Sequence, residues 1–197
     1  MSPLPMFPLG SVLFPHMPLS LRIFEERYVV MLSRVLQEDV SEFGVVLIER
    51  GQEVGGGEHR FGIGTVARIV QLEASEGFIG LVAEGDRRIR VDEWLDDAPH
   101  PQAEVSDLEP LVWDDDLLTA LVLAEDTVRR TLAQIGEETG WSPDVALTEE
   151  PVARAWQLAG IAPLGPLDQV ELLRAGTMAE LLDGIVTKTE AVGDILL

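Results

Sequence analysis

The sequence predicts an α+β fold: a β-rich N-terminal part with one inserted helix, followed by an all-helical C-terminal part. Three observations predict it. Short β-branched runs bounded by glycine and proline fill the chain before residue 110, one helical periodicity interrupts them, and helical stripes dominate from residue 114 onward. The expected division is a β-rich subdomain over 1–112 and a helical subdomain over 113–197 packed against it.

Within the first part, Phe43–Arg50 (FGVVLIER) is a β-branched run entering Gly51, and Phe61–Leu72 (FGIGTVARIVQL) is a second strand signal. Phe78–Ala83 and Arg88–Trp94 flank Glu84-Gly85-Asp86, which reads as a hairpin turn. Gln102–Leu108 alternates weakly and stops at Pro110. Tyr28, Val29, Leu32, Val35 and Leu36 recur at helical spacing after Glu25-Glu26. Several short, mostly antiparallel strands are expected to curl into a small barrel or sandwich.

The second part opens on a helix start. Asp114 suits an N-cap, Trp113 and Leu118 suit a hydrophobic staple, and Asp115 and Asp116 suit the positive end of the helix dipole. Leu117, Leu121, Val128, Leu132 and Ile135 then form one stripe. Gly140–Pro151 reads as an exposed linker, and Val152–Leu158 begins a helix that Gly160–Pro166 breaks. Leu167–Ala175 and Met178–Val192 are two further helical segments, the last with its stripe at Met178, Leu181, Leu182, Ile185 and Val192.

Composition narrows the function classes. The chain has 197 residues, 14 basic against 35 acidic, no cysteine and a formal net charge of −21. At 46% hydrophobic it can build a core, so the charge does not signal disorder. The absence of cysteine removes disulfides, thiol catalysis and cysteine-ligated zinc, and suits a reducing cytoplasm. No apolar run reaches the roughly 20 residues that span a bilayer, so no membrane partner is expected. The apolar start, Met1 to Phe14, is interrupted by Pro3, Pro5 and Pro8 and lacks a basic segment, unlike a signal peptide. So acidic a chain repels phosphate backbones, and no nucleic-acid partner is expected. The charge is uneven: residues 1–72 carry 6 basic and 8 acidic residues, whereas 73–116 carry 3 and 14.

Motif searches mostly exclude. Gly62-Ile63-Gly64-Thr65-Val66-Ala67 fits G-x-G-x-x-A, but the β-branched Thr65–Val70 that follows is a strand, not the helix a dinucleotide site requires. No Walker motif is present, and the single lysine, Lys188, is expected on an exposed helix end. His16, His59 and His100 are scattered, with no ligand spacing. Arg87, Arg88 and Arg90 form the one basic cluster, with Arg88 and Arg90 expected to share a strand face and pair with acidic residues across a hairpin. No nucleophile–base set can be assembled, so no catalytic residue, metal or cofactor is expected. Gly55-Gly56-Gly57 is a loop whose backbone can approach a ligand closely.

The first 72 residues resemble the N-terminal, substrate-binding domain of the Lon proteases. The resemblance rests on Phe7-Pro8-Leu9, Val12-Leu13-Phe14-Pro15, Leu21-Arg22-Ile23-Phe24-Glu25-Glu26-Arg27-Tyr28, Phe43-Gly44-Val45-Val46-Leu47-Ile48, Glu53-Val54-Gly55-Gly56-Gly57 and Gly64-Thr65-Val66-Ala67-Arg68-Ile69, in that order and spacing. Gly85, Arg88-Ile89-Arg90-Val91 and the helical Leu167–Leu182 look like the remainder of that domain. Ser20 and Glu26 stand where the family often has proline, and Arg22 where it often has histidine. The chain looks like a stand-alone domain, without the ATPase and Ser–Lys protease modules.

The resemblance implies a PUA-like β pseudo-barrel with a helical bundle, and a non-enzymatic module that binds exposed apolar peptide or unfolded segments. Phe14, Met17, Leu19, Phe24 and Tyr28, with Gly55, Gly56 and Gly57, are the candidate contact residues. Glu25 and Arg27 are expected to pair structurally. The implied partners are polypeptide segments or a protein of the Lon system. The alternative is a sensor of small molecules or peptide termini in a groove between barrel and helices.

Overall fold

The computed structural model describes residues 3–48, 60–136 and 140–195. The chain divides into two compact units, Met1–Glu109 and Pro110–Leu197.

The first unit contains strands β1 (Leu4–Leu9) and β2 (Pro18–Ile23), helix α1 (Glu26–Val35), then β3 (Glu42–Ile48), β4 (Arg60–Ser75), β5 (Phe78–Trp94) and β6 (Gln102–Asp107). The strands are ordered β2-β5-β4-β3-β1-β6, and β6 pairs back onto β5. That last pairing closes β1, β3, β4, β5 and β6 into a ring and leaves β2 outside it, on the flank of β5. The length of β5 makes this possible. Its first half lies between β2 and β4, and its second half between β4 and β6. Register shifts at Thr65/Ala67, Ile69/Gln71 and Val91/Glu93 supply the bends that closure needs.

β1 and β2 escape the sequence pattern because prolines interrupt it. β1 pairs in parallel with β3 over Met6–Leu9 and meets β6 only at Leu4 and Pro5. Most of it therefore has one strand neighbour, which suits Pro5 and Pro8, residues with no N–H to donate.

The expected hairpin turn at Glu84-Gly85-Asp86 is not a turn: β5 runs straight through it. The turn lies instead at Glu76-Gly77, where Gly77 has φ +86°. Gly85 is glycine for another reason. A Cβ there would stand 2.1 Å from the Phe14 carbonyl oxygen. Its N–H donates to Met17 O at 2.9 Å, and its carbonyl accepts from His16 N–H at 2.7 Å.

The barrel interior holds Met6, Val46, Val66, Ile89 and Ala103, with Leu4, Val91, Trp94 and Val105 packed around them. Tyr28, Met31, Leu32 and Val35 form the buried face of α1. Tyr28 stacks on Phe7, centroids 4.0 Å apart and planes 9° apart, while Phe7 tilts against Phe43 at 6.0 Å. Such a stack adds about 0.5–1.5 kcal/mol to the burial of the rings.

In the second unit a single 3₁₀ turn, Asp115–Leu117, leads into α2 (Leu118–Ile135); α3 (Pro151–Ile161), α4 (Pro166–Leu173) and α5 (Met178–Ile195) follow. Asp114 caps as expected, its carboxylate accepting from the Asp116 N–H at 3.0 Å. The staple does not form as a buried contact: Leu118 is 59% exposed, and Trp113 Nε1 donates to Asp115 Oδ1 instead. Leu121, Val128 and Leu132 of the predicted stripe are buried, as are Met178, Leu181, Leu182 and Ile185 of α5. The segment between α2 and α3 is irregular but tethered. Arg129 donates to the carbonyls of Pro143 and Val145, and Thr148 N–H donates to Gln157 Oε1. Gly160 does not break α3, which continues to Ile161.

Candidate functional site

The candidate contact residues separate into an inward and an outward set. Phe14 is 1% exposed, and Met17 and Tyr28 are also buried. The loop carrying the first two is drawn inward at two points, by Thr65 Oγ1, which donates to Leu13 O at 2.6 Å, and by the bonds of Gly85. Neither anchor lies near the loop in sequence. Leu19 is half-buried, on the face of β2 that Leu21 and Ile23 share. Phe24 is the outward residue, 71% exposed at the end of β2. Gly55, Gly56 and Gly57, like His59, lie outside the described residues.

Register places further exposed apolar groups on the same sheet. β2 runs antiparallel to β5 from Pro18 opposite Glu84 to Ile23 opposite Ile79. Leu21 stands opposite buried Leu81 and Leu19 opposite buried Ala83, so these pairs face the core. Ser20 opposite Val82 and Arg22 opposite Gly80 face outward. There Val82 is exposed, and the Arg22 guanidinium sits 4.6 Å from the centroid of Phe78. Val70, in the β4 register shift, is 65% exposed. Exposed apolar residues on β4, on β5 and at the end of β2, namely Val70, Val82 and Phe24, thus share this part of the unit with charged Arg22, Arg68 and Glu84.

The same unit has a cleft of about 420 Å³ lined by Pro3, Leu4, Val35, Val40, Glu38 and His100, among others. His100 is buried. Its ring lies with Nδ1 3.0 Å from Pro101 O, so Nδ1 carries the proton and donates, leaving the buried Nε2 without a hydrogen-bond partner.

The basic cluster is arranged differently from its sequence expectation. Arg88 is buried, with an NH2 donating to Glu109 O at 2.9 Å, and burial pushes its pKa down. Arg90 pairs with Asp92 on its own strand. Arg87 carries the cross-strand pairing, to Glu42 at 2.8 Å and to Asp107 at 3.0 Å, with Asp86 beside it. Hydrogen bonding to Glu42 is the main reason that its pKa rises above the ordinary arginine value. With three carboxylates around it, Arg87 is a strut and not an anion receptor.

Glu25 and Arg27 form the expected pair at 2.9 Å, and Arg27 lies over the Tyr28 ring. Lys188 departs from expectation: it bridges Asp168 and Glu171 from inside α5. Hydrogen bonding to Glu171, then to Asp168, pushes its pKa up. A lysine so held is not a general base. Among the described residues no group of three His, Asp or Glu is placed to hold a metal ion, and no helix is long and apolar enough to cross a membrane.

The first unit is thus a closed β-barrel with a flanking strand, β2, and an exposed aromatic residue just past the end of that strand. The chain belongs to the ATP-dependent protease La (LON) substrate-binding domain family, whose pattern it matches over residues 3–187. It is 25% identical to the Lon protease of Escherichia coli (strain K12) over 98% of its own length and 25% of that protein's. It is 35% identical to Lon protease 2 of Myxococcus xanthus over 54% of its length and 13% of the relative's. The chain therefore spans about a quarter or less of these curated relatives. Among solved structures it is similar to a Lon N-terminal domain protein from Xanthomonas campestris, with 26% identity, a TM-score of 0.70, and coverage of 95% of this chain and 98% of that one. The N-terminal domain of the Mycobacterium avium complex Lon protease shares the fold, with 14% identity, a TM-score of 0.66, and coverage of 96% and 98%. The α+β architecture expected from the sequence is that of these Lon N-terminal domains.

Proposed function

We propose that this protein binds exposed apolar segments of other polypeptides and carries out no chemistry on them. The observation that carries this reading is Phe24, a phenylalanine 71% exposed at the end of an open strand. Large aromatic side chains left in water cost solvation free energy, and Val70 and Val82 of the same unit are also exposed. Family membership supports the same reading: the matched pattern is a substrate-binding domain, and it includes neither an ATPase nor a protease module. Of the sequence-derived set, Phe24 is the contact residue in this reading, and Leu19, half-buried on the inward face of β2, backs the strand. Phe14, Met17 and Tyr28 support them from the core.

The net charge of −21 keeps a protein with such a surface soluble, because like-charged copies repel. The proposed setting is the cytoplasm, in association with the Lon proteolytic system as an adaptor or competing binder. The test is a fluorescence titration against an unfolded model polypeptide and against its folded counterpart. Saturable binding to the unfolded form alone, at about tens of micromolar, is expected for a surface this small. No saturable binding to unfolded chains removes the reading.

A further inference from the structure

We propose that the outer edge of β2 accepts an extended polypeptide as an added antiparallel or parallel strand, with preference for segments that combine apolar and basic residues. This rests on the polypeptide-binding reading and names the mode and substrate class of that surface.

Hydrogen-bond parity distinguishes the two edges of β2. Gly85 N–H donates to Met17 O while the Gly85 carbonyl accepts from His16 N–H, so His16 and Met17 oppose Gly85 as a bulge and the Met17 carbonyl is directed at β5 at the entry to β2. The register from Pro18 opposite Glu84 to Ile23 opposite Ile79 then continues without a shift. In an antiparallel ladder bonded and non-bonded pairs alternate. Leu19, Leu21 and Ile23 therefore direct their backbone groups at β5, while Pro18, Ser20 and Arg22 direct theirs away from it. β2 is the end strand of the sheet order, with β5 its one strand partner among the described residues. The outward edge thus offers the N–H and C=O of Ser20 and Arg22 and the C=O of Pro18. Proline at residue 18 costs this ladder nothing, since its missing N–H is on the open side.

Side chains refine what can bind there. Ser20 is small and stands opposite exposed Val82. A long side chain on an added strand can cross over Ser20 and cover Val82, and a second can cover Phe24 beyond the strand end. The outer edge of β4 past Arg68 is a poorer platform, because the shift at Val70 breaks its regularity. Charge sets the rest. Residues 1–109 carry nine arginines, no lysine and nineteen acidic residues, net −10; at the β2 edge Glu84 stands at one end and Glu26 at the other, with Glu25 paired to Arg27 and one outward cation, Arg22, between them. Such a field attracts lysine- and arginine-bearing segments and repels acidic ones.

The test uses the whole chain and labelled ten-residue peptides in which valine alternates with lysine or with glutamate. The lysine peptide is expected to saturate the protein and the glutamate peptide to bind more than about tenfold more weakly at low salt. Ser20→Pro removes one outward N–H without touching the β5 ladder and is expected to weaken the lysine peptide about tenfold, whereas Ser20→Ala leaves it unchanged. Backbone N-methylation along the peptide provides a readout that needs no variant: losses that recur at every second position support an added strand. Saturable binding that ignores both Ser20→Pro and the position of methylation overturns strand addition while leaving polypeptide recognition standing. Absence of binding by the unmodified protein to peptides and unfolded chains alike overturns both. A dimer of the free protein that Ser20→Pro dissociates assigns the edge to a second copy and overturns the peptide occupant.

Discussion

Gly85 on β5 and Phe14 on the β1–β2 loop approach so closely that any Cβ at residue 85 would stand 2.1 Å from the Phe14 carbonyl oxygen. Phe14 is fully buried, and both the Gly85 amide and its carbonyl are bonded to the same loop. The loop has no room to retreat without breaking these bonds. Gly85→Ala is therefore expected to destabilise the first unit by about 3 kcal/mol, read as a lower denaturant midpoint. Gly62→Ala, on the neighbouring strand with nothing within 4 Å of its Cβ, is the control and should be neutral or slightly stabilising.

Tyr28 belongs to the core in this structure, through its stack on Phe7. Tyr28→Ala is expected to cost about 3–5 kcal/mol. In a double-mutant cycle with Phe7→Leu the two rings should couple by about 0.5–1.5 kcal/mol. A Tyr28→Ala protein that keeps its stability but loses peptide affinity would reverse this and place Tyr28 at the binding surface.

How much of this was legible depends on whether a residue's fate is set locally. β3 and β4 announce themselves by β-branched runs, β6 by a weak alternation, α1 by its 3.6-residue stripe, and α2 by the Asp114 cap, all of them short-range signals. Gly85 reads as a turn because glycine between Glu84 and Asp86 has that meaning in isolation; its real constraint is a loop some seventy residues earlier. Phe14 and Met17 read as contact candidates for the same reason, since Thr65 and Gly85, which draw their loop inward, are remote in sequence. The open edge of β2 could not be read at all, because edge status depends on the strand order. Phe24 was legible as an apolar residue but not as an exposed one.

Phe24 should separate binding from folding. At 71% exposure its loss removes little packing, so Phe24→Ser is expected to change stability by less than about 0.5 kcal/mol. Affinity for an unfolded polypeptide should nevertheless fall about tenfold, as for an aromatic anchor at the centre of a contact. Titration and denaturant unfolding on the same preparation check both halves; unchanged affinity would remove Phe24 from the site.

Asp97 links stability to acid. Arg60 donates to it from both terminal nitrogens, at 3.1 and 2.5 Å, while stacking on Trp94, and this hydrogen bonding holds the Asp97 carboxyl below its usual range. A carboxylate with a lowered folded-state pKa contributes stability above its unfolded value near 4 and loses it as pH falls through the folded value. Asp97 is partly exposed, so the pair is worth about 0.5–1 kcal/mol. Asp97→Asn should be less stable by that amount at pH 7, and the gap should close between about pH 4 and pH 2. Trp94 fluorescence during urea unfolding reports it; a gap that persists at pH 2 contradicts the assignment.

Lys188 gives the opposite sign at the opposite end of the scale. It ties α5 to α4 by bridging Asp168 at 2.9 Å and Glu171 at 2.5 Å, and these partners raise its pKa. A cation with a raised folded-state pKa contributes fully below its unfolded value near 10.5 and loses that contribution as pH climbs through the folded value. Lys188→Met keeps the length of the chain and its packing but removes the charge. It should cost about 1 kcal/mol at pH 7, an intermediate figure for a half-buried bridge with two acceptors. The difference from the unmodified protein should hold to about pH 10 and narrow above it. Buried Trp156 on α3 reports unfolding of this unit. No difference at pH 7, or one that stays constant as pH rises well past 10, would mean that Lys188 does not stabilise the helices by its charge.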